Sequence, residues 1–510
     1  MVAWRSAGGP IAVAGLAVAL AVGCHGSASS SSSAPPARVE FPAGFMWGSS
    51  TAGFQVEAGD AHTDWSHWVA AGKISSGDSP DVGGPDALAH IDDDVAALVS
   101  SGQNTYRFSV EWGRVFPTEA ALLAGTPDAA GVAPYDTLIQ KLAAAHVTPL
   151  VTLAHFSMPD WLSDGTPATT GSPQGWERPQ ALDDFAAWCT FAAARWGSSV
   201  DWWVTINEPL PYVLGGFVQG SFPPGDVLNI DRALSVARIE AYAHARCYDA
   251  IHAADTVDAD GDGKAAQVSV AKHQRTFHPL DATDPDDAAA AEHVRYLWNE
   301  AFLNAIVHGD WDADFDGAYT SPGDVQGDPA LVGRADYIGV NYYSDTLISA
   351  SHGGVKIPAP VNAVVLQRDM GDGRPISDFG WDIYPEGMGT VLDETAAYGL
   401  PMIVTENGLA DAADVNRARF LLEHLYQVGW AIQRGDPVIG YTHWALVDNF
   451  EWANGYCPHF GLFRYDRSTG VRTPKGSVAT YTSIIASGTI TTDDVSAAPA
   501  YTAPAAECFP

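Results

Sequence analysis

The stretch Trp203-Val-Thr-Ile-Asn-Glu-Pro209 decides the fold of this chain. Its apolar and β-branched residues predict a buried strand. The strand has to end at Pro209, because proline has no N–H to donate to a neighbouring strand, and Glu208 is therefore placed at the carboxyl end. A second run, Pro401-Met-Ile-Val-Thr-Glu-Asn-Gly408, repeats this design with Glu406 near its end. Two carboxylates at the ends of two strands suggest an acid/base and a nucleophile working together on a glycoside.

Strand-like runs alternate with helix-like runs along most of the chain. The predicted strands are residues 45–48, 104–110, 147–155, 201–207, 267–273, 336–343, 402–406 and 438–446. Helices are predicted at 92–101 and 416–434, each followed by a glycine that can end it. Eight strand–helix units predict an α/β fold, a single-domain (β/α)8 TIM barrel with long βα loops over residues 41–487.

The first residues have the pattern of an export signal. Arg5 precedes an apolar segment of about fourteen residues, which is too short to span a bilayer. The segment ends in Ala21-Val22-Gly23-Cys24, which resembles a bacterial lipobox, although Ala21 stands where such boxes usually carry Leu. We predict a signal peptide at 1–24 ending in a lipidated Cys24, and a Ser/Pro-rich flexible tether at 25–40. The predicted location is the bacterial cell envelope, with ordinary secretion or a periplasmic location as the alternative.

The charge balance of the chain is strongly acidic. It has 26 Lys+Arg against 61 Asp+Glu, a formal net charge of −35. Such a surface repels phosphate backbones, so nucleic acid is excluded as a partner. Membrane contact is expected only through the lipid anchor, and the composition does not predict an oligomeric state.

Four cysteines remain when Cys24 is set aside, namely Cys189, Cys247, Cys457 and Cys508. In an exported chain they permit two disulfides with three possible connectivities. Cys189 and Cys247 lie in alanine-rich helical segments, where buried free thiols fit as well as a bridge. The tail at 488–510 is expected to be poorly ordered unless Cys508 ties it down.

Seven motifs follow one another in a fixed order. They are Phe45-Met-Trp-Gly-Ser-Ser-Thr-Ala-Gly-Phe-Gln-Val-Glu57, Tyr106-Arg-Phe-Ser-Val-Glu-Trp112, Leu153-Ala-His-Phe-Ser-Met-Pro159, Thr205-Ile-Asn-Glu-Pro209, Gly339-Val-Asn-Tyr-Tyr343, Thr405-Glu-Asn-Gly408 and His443-Trp-Ala-Leu-Val-Asp-Asn-Phe-Glu-Trp452. In these motifs the chain resembles glycoside hydrolase family 1, the retaining β-glucosidase/β-galactosidase family. Thr63-Asp-Trp-Ser-His-Trp68 is similar to the archaeal-type branch. His459 departs from the family, which commonly has Arg there.

The resemblance implies roles for the two carboxylates and their neighbours. Glu208 would be the acid/base and Glu406 the nucleophile, in a retaining mechanism that needs the two carboxyl groups about 5–5.5 Å apart. Arg107, Asn341 and Tyr343 would support Glu406. The residues agree with this, because Arg107 lies in an otherwise apolar strand and a buried arginine needs a carboxylate partner. A structural salt bridge is the alternative for Arg107, and a core aromatic is the alternative for Tyr343.

The resemblance also implies a sugar-binding set. Residues that would bind the sugar hydroxyls are Gln55, His155, Asn207 and Glu451, and aromatic residues that would pack on the sugar ring are Trp444, Trp452 and Phe460. Core packing is the alternative for Phe460. Family members that act on 6-phosphorylated sugars replace the Glu451-Trp452 pair, so a non-phosphorylated sugar is expected.

The resemblance implies an exo-acting retaining β-glycosidase that hydrolyses small β-glycosides and needs no cofactor for catalysis. A transglycosidase on the same scaffold is one alternative. A non-catalytic carbohydrate-binding surface protein is another, although such proteins usually lose a catalytic glutamate and this chain keeps Glu208 and Glu406.

Two acidic loops fit the DxDxDG pattern of calcium ligands. The predicted ligands are Asp258, Asp260 and Asp262 in the first loop and Asp312, Asp314 and Asp316 in the second. Ser269 and Gly323 stand at the twelfth positions, where an EF-hand has Glu, so a complete EF-hand is excluded. A structural Ca²⁺ site with fewer ligands is the hypothesis, and a solvated acidic loop is its alternative.

Overall fold

The computed structural model describes residues 34–165, 173–366 and 373–508. The predicted signal peptide, the lipidated Cys24 and most of the tether therefore lie outside the described residues. Within those three ranges, no helix combines the length and apolarity needed to cross a bilayer.

Eight parallel strands close into a barrel, which confirms the predicted fold class. Their bounds are Met46–Ser50 (β1), Thr105–Ser109 (β2), Thr148–Ala154 (β3), Trp202–Asn207 (β4), Gln267–Pro279 (β5), Ile338–Ser349 (β6), Met402–Asn407 (β7) and Val438–Trp444 (β8). Each strand pairs in parallel with the next one in the chain, and β8 pairs with β1 to complete the ring. All eight predicted strands are present.

Strands β5 and β6 run farther than the sequence predicted. They stay paired beyond the barrel, from Thr276 opposite Asp345 to Pro279 opposite Ile348. A hairpin formed by Lys356–Ile357 and Ala363–Leu366 pairs with the far end of β6. The sequence prediction stopped both strands where the apolar pattern weakens, whereas the backbone pairing continues.

Alternation along the strands separates an inner from an outer set of side chains. On β3, Leu150 and Thr152 share the face that points at Arg107 of β2, since Thr152 bonds the Arg107 side chain. A cluster that includes Leu150, Trp202 and Ile403 packs below this polar layer. Outward-facing residues such as Val151 pack on the helices in the main core.

Within the described ranges, nine longer helices surround the barrel. Their bounds are Ile91–Ser100 (α1), Ala129–Ala144 (α2), Ala181–Trp196 (α3), Ile230–Ala254 (α4), Pro285–Arg295 (α5), Ala301–His308 (α6), Pro385–Ala396 (α7), Arg417–Arg434 (α8) and Ser477–Ser487 (α9). The two helices predicted from the sequence correspond to α1 and α8. Gly435 ends α8 with φ 106°, a conformation that glycine adopts without strain.

Shorter helical and strand segments occupy the loops. The helical ones are Gly53–Val56, Asp64–Ala70, Pro80–Gly83, Ala87–Ala89, Trp112–Val115, Glu119–Leu123, Gly175–Glu177, Pro209–Val213, Leu214–Val218, Tyr296–Glu300, Trp452–Asn454 and Thr492–Ala497. A separate antiparallel hairpin is formed by Phe463–Tyr465 and Arg472–Pro474.

Two disulfides join the four cysteines. Cys189 of α3 is bonded to Cys247 of α4, and Cys457 is bonded to Cys508. This selects one of the three connectivities and makes the free-thiol alternative for Cys189 and Cys247 wrong.

The two ends of the described chain pair with each other. Arg38–Glu40 forms an antiparallel strand with Thr489–Thr491. Val39 is fully buried between its exposed neighbours, so these residues follow the pattern of a one-sided strand. The end of the predicted flexible tether is therefore ordered, because β pairing and the burial of Val39 hold it.

Candidate active site

The carboxyl ends of the barrel strands surround a cavity of about 680 Å³. Nine of the twelve predicted catalytic and sugar-binding residues line it: His155, Asn207, Glu208, Tyr343, Glu406, Trp444, Glu451, Trp452 and Phe460. Gln55, Arg107 and Asn341 lie behind this layer and bond to it. The volume is in the range of small-molecule sites.

Glu208 directly follows β4 and has φ 46° and ψ 68°. Left-handed backbone is strained for a residue with a Cβ and costs on the order of 1–3 kcal/mol. The surrounding bonds hold it there: its N–H donates to the Ala271 carbonyl at 2.8 Å, and Asn341 Nδ2 donates to its Oε1 at 2.7 Å. The strained turn aims the Glu208 carboxyl group into the cavity.

Glu406 lies in β7 and receives two strong hydrogen bonds. Arg107 Nη1 donates to its Oε1 at 2.6 Å, and the Tyr343 hydroxyl donates to its Oε2 at 2.7 Å. Arg107 also bonds the Asn207 amide oxygen at 2.7 Å and the Thr152 hydroxyl at 3.2 Å. The guanidinium is thus fixed by three strands and presents a rigid cation to the carboxylate.

The surroundings of the two carboxyl groups differ. Burial raises the pKa of Glu208 to about 8, and the charge of Glu406 adds to this effect. Burial also raises the pKa of Glu406, but Arg107 and Tyr343 oppose the rise. In this coupled pair the proton resides on Glu208 and the negative charge on Glu406, because only Glu406 bonds a cation. One cavity therefore holds a carboxylic acid and a carboxylate side by side.

Polar side chains with atoms that can form further hydrogen bonds lie beside Glu208 and Glu406. Gln55 Nε2 donates to Glu451 Oε2 at 3.2 Å, and Asn207 Nδ2 lies 3.0 Å from His155 Nε2. Gln55 Oε1 and His155 Nδ1 are buried without a hydrogen-bond partner among the described residues. Burial and the nearby Arg107 hold the pKa of His155 well below its usual range, so the ring is neutral. A sugar hydroxyl can satisfy either orphaned atom.

Aromatic rings form the walls. Trp452 stacks on His155 with ring centroids 6.1 Å apart and an interplanar angle of 18°. Phe460 meets Tyr343 edge to face at 6.0 Å. Phe460 lines the cavity and also packs in an aromatic cluster. The sugar-packing and core-packing interpretations of this residue are therefore compatible.

Strand β5 contributes charged residues that the sequence analysis missed. Lys272 is fully buried, its ammonium donates to the carbonyls of His273 and Trp298, and burial lowers its pKa to about 7. Its charge acts on Glu208. Arg275 lines the cavity with its guanidinium 5.3 Å from the Trp381 ring centre. The argument used for Arg107, a charge inside a buried strand, applies to Lys272 and could have found it, whereas Arg275 lies beyond the predicted strand 267–273.

The outer part of the cavity is lined by other missed residues. They include Phe156, Phe222, Trp298, Phe379, Trp381 and Glu507. These residues come from loops and from the C-terminal tail, where no strand pattern indicates which side chains turn inward.

The two acidic clusters differ in membership from the prediction. Carboxylate oxygens within 4.8 Å of one another come from Asp201, Asp258 and Asp260 in one cluster, and from Asp312, Asp314 and Asp324 in the other. The predicted third ligands, Asp262 and Asp316, are not members. Their carboxylates turn back to the backbone, accepting from Lys264 N at 2.8 Å and Ala318 N at 2.7 Å.

Comparisons with known proteins show which family this chain resembles. The family model described as "Glycosyl hydrolase family 1" matches residues 37–489. A β-galactosidase of Pyrococcus woesei is 33% identical over 88% of this chain and 98% of its own length. β-Glucosidase A of Thermotoga maritima is 30% identical over 88% of this chain and 98% of its own. The crystal structure of the β-glycosidase from Thermosphaera aggregans superposes with a TM-score of 0.76 at 27% identity, covering 89% of this chain and 98% of that one.

Proposed function

The chain belongs to glycosyl hydrolase family 1, and from this membership we propose that it is a retaining, exo-acting β-glycosidase for non-phosphorylated sugars. As a hydrolase of this family it acts on small glycosides. The observation that carries the proposal is the asymmetry of the two carboxyl groups: Glu406 bonds a guanidinium and a phenol, whereas Glu208 bonds an amide. That asymmetry is what a nucleophile and an acid require.

In the proposed first step, Glu208 gives its proton to the glycosidic oxygen while a Glu406 oxygen attacks the anomeric carbon. The bond from that carbon to the glycosidic oxygen breaks, the aglycone leaves as an alcohol, and the sugar remains as an ester of Glu406. Esterification removes the negative charge of Glu406, which had helped to raise the pKa of Glu208. Glu208 then accepts a proton from water, and the resulting attack on the ester releases the sugar with its original β configuration.

The sugar-binding roles are proposed from the same geometry. His155 and Asn207 bond each other beside the carboxyl pair, and Gln55 bonds Glu451 on the far side. Hydroxyls of a terminal sugar would satisfy Gln55 Oε1 and His155 Nδ1. Among the described residues Glu451 bonds the Gln55 amide and forms no ion pair with a cation, so it would bond the hydroxyls of a neutral sugar and provides no positive charge for a phosphate.

The test is hydrolysis of a panel of nitrophenyl β- and α-glycosides that includes glucosides and galactosides. We expect turnover of one or more β-glycosides, and loss of several orders of magnitude in Glu406→Ala. Glu208→Ala should be most impaired on alkyl glycosides, whose leaving groups need a proton. An NMR spectrum of the first product should show the β anomer. Formation of the α anomer first would overturn the retaining mechanism, and no turnover by folded protein would overturn the hydrolase.

Adding a simple alcohol to the same assay distinguishes a hydrolase from the alternative, a transglycosidase. Water and the alcohol compete for the glycosyl ester, so the ratio of free sugar to alkyl glycoside measures the balance. Free sugar as the main product at low alcohol supports a hydrolase. Alkyl glycoside as the main product would support the alternative.

We also propose that the protein is exported and anchored through Cys24. The disulfides Cys189–Cys247 and Cys457–Cys508 support export, because disulfides persist in oxidising compartments. Fractionation of cells that express the full chain tests the anchor. Wild type in the membrane fraction and Cys24→Ala in the soluble fraction would support it, and equal partition of the two would count against it.

For the acidic clusters we propose one structural Ca²⁺ site, formed by Asp312, Asp314 and Asp324. Asp312 is 1% exposed, and its Oδ1 has no hydrogen-bond partner among the described residues. Oδ1 of Asp314 is likewise buried and unpartnered within the described ranges. In the other cluster, both oxygens of Asp201 accept backbone N–H bonds, so its charge is already compensated. Two orphaned carboxylate oxygens fit a hard cation.

A further inference from the structure

The C-terminal tail at residues 498–508 follows the short helix Thr492–Ala497 and lies beyond residue 489, where the family match ends. It is held along α8 by side-chain contacts. The Tyr501 hydroxyl donates to Glu423 Oε2 at 2.7 Å, and Thr502 N donates to Asn416 Oδ1 at 2.9 Å. Its path over the barrel is therefore set by specific bonds.

The end of the tail reaches the mouth of the catalytic cavity. Ala505 N donates to Asp378 Oδ1 at 2.8 Å, and Cys508 N donates to the Asp378 carbonyl at 2.8 Å. The next residue after Asp378 is Phe379, which lines the cavity. Cys508 is bonded to Cys457, in the same loop as the lining residue Trp452. The tail thus joins the loop after β6 to the loop after β8.

Glu507 lies in the wall of the cavity beside this disulfide. Of the described carboxylates that line the cavity, it is the exposed one, whereas Glu208 and Glu406 are buried. The lining cation Arg275 is buried and bonds the Asp345 carbonyl and the Thr346 hydroxyl at 3.2 Å, whereas Glu507 is exposed at the surface. A group entering or leaving the cavity therefore meets a negative mouth.

We propose that the clamped tail selects the aglycone: the Cys457–Cys508 disulfide holds Glu507 at the mouth, where its carboxylate disfavours anionic aglycones relative to neutral and cationic ones. The inference rests on the proposed β-glycosidase function. Catalysis at Glu208 and Glu406 concerns the sugar and the glycosidic bond, whereas the aglycone would contact other residues that line the same cavity, which include Trp381, Phe379 and Glu507. Charge at the mouth therefore acts on aglycone binding and not on the sugar.

The experiment compares three aryl β-glycosides that share the sugar hydrolysed fastest in the nitrophenyl panel and have phenol leaving groups of matched basicity. The para substituents are a propionate, its amide and an aminoethyl group. We expect wild type to give a lower kcat/KM for the propionate than for the amide, and Glu507→Gln to bring the ratio closer to one by about three- to tenfold, the effect of one exposed charge at about 4 Å in bulk water. Added salt should bring the propionate-to-amide ratio of kcat/KM closer to one in wild type. It should leave that ratio unchanged in Glu507→Gln.

The clamp is tested with the double variant Cys457→Ser/Cys508→Ser, which should lose the same selectivity because the tail is released. Its matched control is Cys189→Ser/Cys247→Ser, which removes the other disulfide and should retain the selectivity. The role of Glu507 would be overturned if Glu507→Gln kept a propionate-to-amide ratio of kcat/KM within twofold of the wild-type ratio. Retained selectivity in the Cys457→Ser/Cys508→Ser variant would overturn the clamp. Failure to hydrolyse any β-glycoside of the nitrophenyl panel would instead overturn the proposed function itself.

Discussion

Arg107 Nη1 lies 2.6 Å from Oε1 of Glu406, and the side chains of both residues are buried. The same guanidinium bonds Asn207, whose amide oxygen also accepts from Asn341, the residue that bonds Glu208. One cation therefore organises both carboxyl groups: it stabilises the charge on Glu406 directly and positions Glu208 through two amides. This network explains how two buried acids can differ in protonation within one cavity.

The first prediction concerns Arg107→Lys. A lysine ammonium cannot bond Glu406, Asn207 and Thr152 in the planar arrangement of a guanidinium. We expect kcat/KM to fall by about a hundredfold or more, as when one preorganised donor is removed from an active site. The acidic limb of the pH profile of kcat/KM should move to higher pH, because Arg107 no longer opposes the raised pKa of Glu406.

The matched control is Arg472→Lys, since Arg472 forms a similarly buried ion pair with Asp94 at 2.7 Å outside the cavity. It should lower stability and leave the pH profile of kcat/KM in place. If Arg107→Lys loses activity without moving the acidic limb, its role is packing and not electrostatic support of Glu406.

The second prediction concerns the disulfide between α3 and α4. Cys189 and Cys247 are 58 residues apart, so the bridge restricts the unfolded chain and stabilises the fold by about 4 kcal/mol in the chain-entropy model. We expect Cys189→Ala/Cys247→Ala to lower the free energy of unfolding by about that amount in chemical denaturation. The kcat/KM of the folded variant should match wild type, because neither residue lines the cavity. A large loss of kcat/KM with unchanged stability would contradict this prediction.

The barrel and the placement of Glu208 and Glu406 at the ends of its strands could be predicted because they follow from local patterns. Strand β4 is mostly apolar and β-branched and is followed by Glu208 and a proline, which places Glu208 at its carboxyl end. Lys272 could also have been found, because a charge in a buried strand is visible in the sequence.

The cavity mouth could not be predicted in the same way. Glu507 reaches it through the disulfide from Cys508 to Cys457, 51 residues away in the chain, and through bonds from Ala505 and Cys508 to Asp378, which is more than a hundred positions away. The acidic cluster contains Asp324 and not Asp316, which the sequence pattern had predicted, and this too depends on contacts between distant residues. The DxDxDG pattern shows the loop, but only the folded chain shows which carboxylates meet.

The third prediction concerns calcium. Millimolar Ca²⁺ should raise the Tm above its value in chelator by about 1–3 °C, because binding to the folded state alone stabilises it. Asp312→Asn should abolish the increase, since it removes the charge of the most buried ligand. Differential scanning calorimetry with and without chelator measures both effects.

Asp316→Asn is the matched control for calcium, because Asp316 lies in the same loop but outside the cluster. It should keep the full Ca²⁺-dependent increase in Tm. Loss of the increase in Asp316→Asn would favour the ligand set predicted from the sequence pattern, and no increase in wild type would favour a solvated acidic loop.

The last prediction links the acid to stability. The pKa of Glu208 is raised to about 8 in the folded protein, above its ordinary value near 4.5. Its contribution to stability is therefore fully present below about pH 4 and is lost as the pH rises through about 8. Glu208→Gln cannot ionise, so its Tm relative to wild type should increase steadily from pH 4 to pH 9, while Glu40→Gln, an exposed site, should show no such trend. A Tm difference that does not vary with pH would show that Glu208 titrates normally in the folded protein.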